Sequence, residues 1–403
     1  SSLVGSEMCI RDSQIPGLEI LRAAHNRLID TVPLDQLSQL RALDLSHNQL
    51  QDAIQLQPLQ NLQELYLTGN SELTQAMVQP VIANNPGLTH LGLGGIAIGD
   101  LSQLPIFSGT TGPYSLIELD VSDTGLVDLW LLAQLPTLQV LLAANNQLID
   151  ATPLDQLPLL RALDLSHNQL VDVAPLPTLE NLKELTLTGN PALTLPMVQA
   201  VIAANPGLTH LGVGGIPIGD LSLLPVFAGP TGPYSLIELD VSDTGVNDLS
   251  PLSPLLPALE VLRVADNQVI DASPLGQSVR LRVIDLSDNQ IELVHLLAGI
   301  PYLEFLDLRG NTGIQCDELD VLETEFGAGI LQRPLICVIL TSPEVLILEP
   351  LGPEVFYQTT TISFLADASD VEDGDLASHV QWTSSRDGFI GAGSPLNQSL
   401  SSG

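Results

Sequence analysis

Leucine recurs through most of this chain in one fixed phrase, L-x-x-L-x-L-x-x-N-x-L. The decapeptide R-A-L-D-L-S-H-N-Q-L stands at 41–50 and again, letter for letter, at 161–170. In the first copy Leu43 and Leu45 alternate with Ala42, Asp44 and Ser46. That period of two predicts a short strand with leucines on one face and polar groups on the other. Leu40 and Leu50 flank the strand and turn into the same core. Asn48 stands where the chain leaves the strand, and its amide can bond backbone groups of its own and neighbouring coils, as a buried turn requires. One such unit cannot cover its own leucines, so it needs a copy above and below it.

Thirteen units follow this pattern, beginning at Leu18, Leu40, Leu62, Leu88, Leu116, Leu138, Leu160, Leu182, Leu208, Leu236, Leu259, Leu281 and Leu303. The first five are 22, 22, 26, 28 and 22 residues long, a cassette of 120 residues, and the block from Leu138 repeats those lengths with one residue added before Leu259. T-G-P-Y-S-L-I-E-L-D-V-S-D-T-G occurs at 111–125 and at 231–245. A duplicated cassette with a partial third copy accounts for all of this. The asparagine recurs at Asn26, Asn48, Asn70, Asn146, Asn168, Asn190, Asn267, Asn289 and Asn311. The fourth units carry Ile96 and Ile216 instead, the fifth Thr124 and Thr244, and local irregularity is expected at those breaks.

Past the asparagine, Asp30, Asp52, Asp128, Asp150, Asp172, Asp248 and Asp271 share one register, and Pro33, Pro153, Pro175, Pro251 and Pro274 follow three residues later. Aspartate accepts free N–H groups at the start of a helical turn and proline suits its first residues, which predicts a short 3₁₀ segment per coil. Asp100 and Asp220 are expected to serve likewise in the longer units. The third units have helical spacing at Met77, Val78, Val81 and Ile82 and at Met197, Val198, Val201 and Ile202. Pro80 is expected to interrupt the first of these helices, whereas Pro196 fits the first turn of the second.

Motif and spacing together resemble the leucine-rich-repeat superfamily, in particular its 22-residue bacterial class typified by internalins, over residues 18–311. The resemblance implies an α/β solenoid with short parallel strands on a concave face and 3₁₀ or loop segments on the convex face. The 26- and 28-residue units depart from that class, so regular curvature does not follow. Residues 312–340 read as a cap, with Leu319, Leu322 and Phe326 on one helical face. Cys316 and Cys337 are expected to form a disulfide there, the alternative being two free buried thiols in a reducing compartment. From 341 to 403 the composition changes, with strands at 359–368 and 380–384 and Trp382 pointing inward. The stretch A-S-D-V-E-D-G-D-L-A…V-Q-W-T-S-S resembles a bacterial immunoglobulin-like or polycystic-kidney-disease-like domain. It is expected to be an incomplete all-β sandwich, since a full one needs about seven strands. Residues 1–13, which include Cys9, resemble translated sequencing-adapter DNA, so 1–17 are set aside as a non-native or disordered leader. Upstream coils or an amino-terminal cap, and an export signal, are then expected beyond them.

A net charge of −35 and a single lysine, Lys183, oppose binding to nucleic acid. No apolar run approaches the ~18 residues that span a bilayer. The acidity serves either solubility or an acidic ligand-binding face.

Between the strand leucines, the outward position holds Asp44, Asp120, Asp164, Asp240, Asp285 and Asp307, with Arg22, Tyr66, Gly92, Leu142, Thr186, Gly212 and Arg263 elsewhere. Glu64, Glu118, Glu184 and Glu238 add charge to the same face. Carboxylates on coils ~4.8 Å apart repel unless a cation intervenes, and Asp285 stands between Arg263 and Asp307. Ligand contact is assigned to Asp44, Tyr66, Glu118, Asp120, Asp164, Glu238, Asp240, Asp285 and Asp307, against the plainer reading of a solvated strand face. Asp370, Glu372, Asp373 and Asp375 form either a solvated turn or a calcium site of non-EF-hand spacing. His25 and His47 on adjacent coils are read as repeat drift rather than as a metal pair. With no G-x-S-x-G, H-E-x-x-H or P-loop, the chain reads as no enzyme, and no cofactor is expected. The expectation is an exported, extracellular or cell-surface bacterial recognition module for a protein or polysaccharide. The alternatives are the binding region of a larger secreted enzyme, or a structural adhesin.

Overall fold

The computed structural model describes residues 17–107, 114–174, 176, 179–227, 235–327, 329–338, 344–349, 361–370, 374–375, 377–384 and 388–399. The chain divides into two compact units, the boundary falling after Ile336, with Gln315–Asp317 grouped with the second.

In the first unit each coil contributes one three-residue strand: β1 Ile20–Arg22, β2 Ala42–Asp44, β3 Glu64–Tyr66, β4 His90–Gly92, β5 Glu118–Asp120, β6 Val140–Leu142 and β7 Ala162–Asp164. The series continues with β8 Glu184–Thr186, β9 His210–Gly212, β10 Glu238–Asp240, β11 Val261–Arg263, β12 Val283–Asp285 and β13 Phe305–Asp307. All thirteen pair in parallel and in chain order, and β14 (Leu331–Gln332) extends the sheet beyond the last repeat by pairing with β13. The middle residue of each strand from β2 to β13 is buried while its neighbours face outward, as the period of two dictates. A fully buried leucine contributes about 2 kcal/mol, and in coils 2 to 13 the stacked leucines build one continuous core.

The asparagine ladder joins these coils. Asn168 is typical: its amide donates to the carbonyls of Ala143 (3.0 Å) and Leu165 (3.0 Å), while its oxygen accepts from the Leu148 N–H (3.1 Å). Asn48, Asn70, Asn146, Asn190, Asn267, Asn289 and Asn311 repeat that three-way bond between adjacent coils. Asn26, in the first coil, is exposed and bonds only its own turn. The sheet does not falter where the ladder is broken, contrary to expectation. Ile96 and Ile216 are fully buried, and Thr124 keeps the bond to its own coil, its hydroxyl donating to the Val121 carbonyl at 2.6 Å. Thr244 does the same to Val241.

A row absent from the sequence reading accompanies the ladder. Three residues past each of the thirteen strands the backbone takes positive φ, at His25, His47, Gly69, Gly95, Asp123, Asn145, His167, Gly189, Gly215, Asp243, Asp266, Asp288 and Gly310. Glycine, asparagine, aspartate and histidine tolerate that conformation best, which accounts for the composition of the row.

The aspartates of the opposite register act as expected. Asp150 accepts the Thr152 N–H at 2.7 Å and Asp271 that of Ser273 at 2.7 Å, each two residues ahead of its 3₁₀ turn, and Asp100 and Asp220 cap theirs directly. Pro33, Pro153, Pro251 and Pro274 sit in the first positions of those turns, whereas Pro175 lies outside the described residues. The third units form α1 (Gln75–Ala83) and α2 (Leu195–Ala204). Pro80 does not interrupt α1: the helix runs through it, because Val78, Val81 and Ile82 are fully buried and their burial outweighs one missing backbone bond.

Helix α3 (Cys316–Phe326) follows the last repeat, with Leu319 and Leu322 buried and Phe326 half-buried, and Cys316 is disulfide-bonded to Cys337. Among the described residues the strands of the second unit pair antiparallel, beside one isolated parallel bridge between Gln315 and Val338. Its strands β15 (Glu344–Glu349), β16 (Thr361–Asp370), β17 (Gly374–Asp375) and β20 (Leu396–Ser399) form one sheet, and β18 (Gln381–Ser384) pairs with β19 (Gly388–Ala392). Trp382 is half-buried and its ring N–H donates to the Gly393 carbonyl at 3.0 Å. Residues 1–16, which hold the adapter-like leader, and Glu372 and Asp373 of the acidic turn lie outside the described residues.

Asn168→Ala is expected to cost about 2–4 kcal/mol, since a buried N–H and two carbonyls lose their partner. Asn168→Thr is expected to cost less, because Thr124 and Thr244 already retain one of those bonds. Urea unfolding of the two variants checks the order. Breaking the Cys316–Cys337 bond, whose partners are 21 residues apart, is expected to remove roughly 3 kcal/mol from the region it closes, read as earlier proteolysis there after reduction.

Candidate functional site

Residues at the first and last position of each strand face away from the core, so the sheet presents two rows of outward side chains. The last-position row runs Arg22, Asp44, Tyr66, Gly92, Asp120, Leu142, Asp164, Thr186, Gly212, Asp240, Arg263, Asp285 and Asp307 in register. Only Asp285 and Asp307 place acids on adjacent strands in this row. Elsewhere a neutral or basic residue separates the carboxylates and relieves their repulsion.

These aspartates are also structural. Asp44 accepts the Ser46 N–H at 3.0 Å, and Asp120, Asp164, Asp240, Asp285 and Asp307 bond the N–H two residues on in the same way. One oxygen is thus fixed at the end of the strand, which aims the other outward. Asp307 departs from the rest. It is only 2% exposed, and Arg309 grips both of its oxygens, with Nε at 2.9 and 3.0 Å. Its carboxylate is therefore buried beneath the exposed Arg309 side chain rather than a surface contact. Asp285 stands in register between Arg263 and Asp307, as expected, and Arg263 itself pairs with Glu238 across β10 and β11.

Glycines shape two depressions in this face. On β4, a Cβ at Gly92 would fall 2.8 Å from the Tyr66 ring and 2.9 Å from the Thr68 hydroxyl, and one at Gly94 would fall 2.8 Å from Asp120. Their absence lets the Thr68 hydroxyl reach across to Asp120 Oδ2 at 2.8 Å. Beside the Tyr66 ring lies a pocket of about 290 Å³, lined by Arg22, Asp44, Ser46, Glu64, Tyr66 and Glu118. A second pocket in the next cassette, about 190 Å³, is lined by Thr186, His210, Gly212, Glu238, Asp240 and Arg263, of which Thr186 and Glu238 are the equivalents of Tyr66 and Glu118. Burial first, then the carboxylates of Glu118, Glu64 and Asp44, push the Tyr66 phenol above the ordinary tyrosine range, with Glu118 as its hydrogen-bond acceptor.

The structure thus brings Asp44, Tyr66 and Glu118 together around one pocket, places Glu238 and Asp240 in the second, and leaves Asp120, Asp164 and Asp285 outside both. Sequence reasoning missed Thr68 and Thr188, which reach toward Asp120 and Asp240, and the role of the glycines; the identical T-G-N turn of both third units was the available signal. His25 and His47 stack face to face with ring centroids 4.4 Å apart. Parallel rings aim their nitrogens sideways, so they do not converge on a shared metal.

Gly92→Ala is expected to displace the Tyr66 ring and cost about 1–3 kcal/mol, read by urea unfolding and by the near-ultraviolet tyrosine signal. The raised Tyr66 value also carries a pH signature. A phenol held neutral by the fold stabilises it up to the unfolded tyrosine range, and that contribution fades as pH climbs through the range toward the folded value. Tyr66→Phe should flatten this alkaline decline in stability; an unchanged slope would assign the decline to other groups.

A family model described as Leucine Rich repeat matches residues 37–54 and 156–173, the two windows that hold the duplicated decapeptide. An internalin from Listeria monocytogenes is 25% identical with a TM-score of 0.53, the match covering 80% of this chain and 88% of that one. A leucine-rich-repeat protein of Leptospira interrogans is 22% identical with a TM-score of 0.50, over 79% and 85%. The ectodomain of an Arabidopsis thaliana membrane receptor kinase, solved in complex with Casparian strip integrity factor 2, is 25% identical with a TM-score of 0.51, over 80% of this chain but 39% of that one. Among curated proteins, a Drosophila melanogaster protein phosphatase PHLPP-like protein is 42% identical over 60 residues, 14% of this chain and only 6% of its relative. No helix among the described residues is long and apolar enough to cross a membrane. The first unit is a leucine-rich-repeat solenoid similar in fold to bacterial internalins and to a plant receptor ectodomain, a fold that supports protein interaction.

Proposed function

We propose that this chain is an exported bacterial recognition module that binds a protein or glycan partner on the concave sheet face, with an immunoglobulin-like second unit that spaces or anchors it. The observation that carries the reading is the sheet face itself. Its last-position row is mainly polar, the aspartates of that row are held in fixed orientation, and two pockets interrupt the face. Rigid, preorganised polar groups on a regular scaffold lower the ordering cost of binding. The contact set is Asp44, Tyr66, Glu118, Asp120, Asp164, Glu238, Asp240 and Asp285, without Asp307.

Asparagine preserves the turn bond of each aspartate while removing its charge, so it separates recognition from folding. Partners captured from intact bacterial or host surfaces are expected to bind the Asp44→Asn, Asp120→Asn, Asp164→Asn, Asp240→Asn quadruple variant at least about tenfold more weakly. The matching change at Asp52, Asp128, Asp150 and Asp248 on the opposite register should leave binding intact. Equal binding by both variants would move the recognition surface off the sheet.

A further inference from the structure

The duplicated cassette provides a comparison inside the same molecule. Glu118 on β5 and Glu238 on β10 are equivalent residues 120 positions apart. In the second cassette Glu238 holds a guanidinium: Arg263, last residue of β11, pairs through Nη1 with its Oε1. The position equivalent to Arg263 in the preceding cassette is Leu142 on β6. Among the described residues no cation stands within ion-pairing distance of Glu118. The first cassette differs in a second way, since Tyr66 replaces the equivalent Thr186, and its ring lies in the space that Gly92 leaves open beside Glu118. One cassette therefore fills its glutamate from within. The other presents the same glutamate, an aromatic ring and the further carboxylate of Glu64 around an open pocket.

We propose that the pocket around Tyr66 and Glu118 receives an arginine side chain from a protein partner, its guanidinium lying against the Tyr66 ring and pairing with Glu118 as Arg263 pairs with Glu238. This rests on the reading of the sheet face as the recognition surface and names the chemistry one part of it selects. Arginine suits the pocket better than lysine, because its planar fork matches a carboxylate and stacks on an aromatic face, whereas an ammonium does only the first, and as a point charge. Arg22, on β1, stands at the rim in register with Asp44, four strands away from Glu118 on β5. It offsets Asp44 and leaves Glu118 and Glu64 as the unmatched acids of the pocket.

The test uses the full chain with ring-labelled tyrosine. It is titrated with a glycine–serine peptide carrying one arginine, and with the same peptide carrying citrulline, which keeps the shape and removes the charge. The Tyr66 signals, identified by their loss in Tyr66→Phe, are expected to shift with the arginine peptide and not with the citrulline one. Glu118→Gln should weaken the arginine peptide about tenfold, as loss of a charged hydrogen-bond partner does. Leu142→Arg gives the first cassette the arginine that the second already has; it should fill Glu118 internally and block the peptide to a similar extent, with the fold verified by circular dichroism. The proposal is overturned by Tyr66 signals that stay unmoved up to the solubility limit of the arginine peptide, by equal shifts with citrulline, or by binding indifferent to both Glu118→Gln and Leu142→Arg. If surface partners are lost on the aspartate-to-asparagine variant yet bind both of these substitutions normally, sheet-face recognition stands and the arginine pocket alone falls.

Discussion

Every coil of the first unit must turn at the edge of its core, and a turn carries backbone groups that water cannot reach. An unpaired buried N–H or carbonyl costs about 1–3 kcal/mol, and thirteen turns would accumulate enough of them to cancel much of the leucine burial. The asparagine amide removes this cost with two donors and an acceptor, linking the carbonyl of its own coil with a carbonyl and an N–H of the coil before. Stacking and turn satisfaction are therefore one event. The ladder tolerates Ile96, Thr124 and their duplicates because those coils bond through the strands and adjoining backbone instead.

The same economy appears on the sheet face. An aspartate that ends a strand by accepting the N–H two residues on is needed for the turn, and its second oxygen points outward, where in Asp120 it meets the Thr68 hydroxyl. Structure and recognition share these residues. Their repetition consequently says little about ligand contact, and the informative positions are those that break the pattern. Tyr66, Gly92 and Arg263 are of this kind, as are Arg309 and Asp307, where a bidentate pair withdraws an acid from the surface.

Duplication left two copies of one glutamate, Glu118 and Glu238, and let their surroundings diverge. In the second, Arg263 neutralises Glu238, which is one-third exposed; in the first, Tyr66 and Glu118 adjoin without a cation. Two equivalent glutamates in different surroundings now lie on one continuous sheet, five strands apart.

The sequence by itself determined the coil, because the two-residue alternation, the ladder asparagine and the Asp-x-x-Pro turn each act within one or two adjacent units. It therefore set the strands from β1 to β13, the 3₁₀ turns and the two longer helices. Cys316 and Cys337 were likewise legible as partners from their places around the cap. Tertiary structure decided whatever depends on neighbours several coils away. Helix α1 keeps Pro80 because its buried face is held by packing, β14 lengthens the sheet because β13 offers an open edge, and Asp307 is buried because Arg309 folds back on it. The pocket at Tyr66 belongs to the same class. It joins β3 to β5 across a glycine on β4, so no single repeat contains it, and only stacking brings phenol, carboxylate and empty space together.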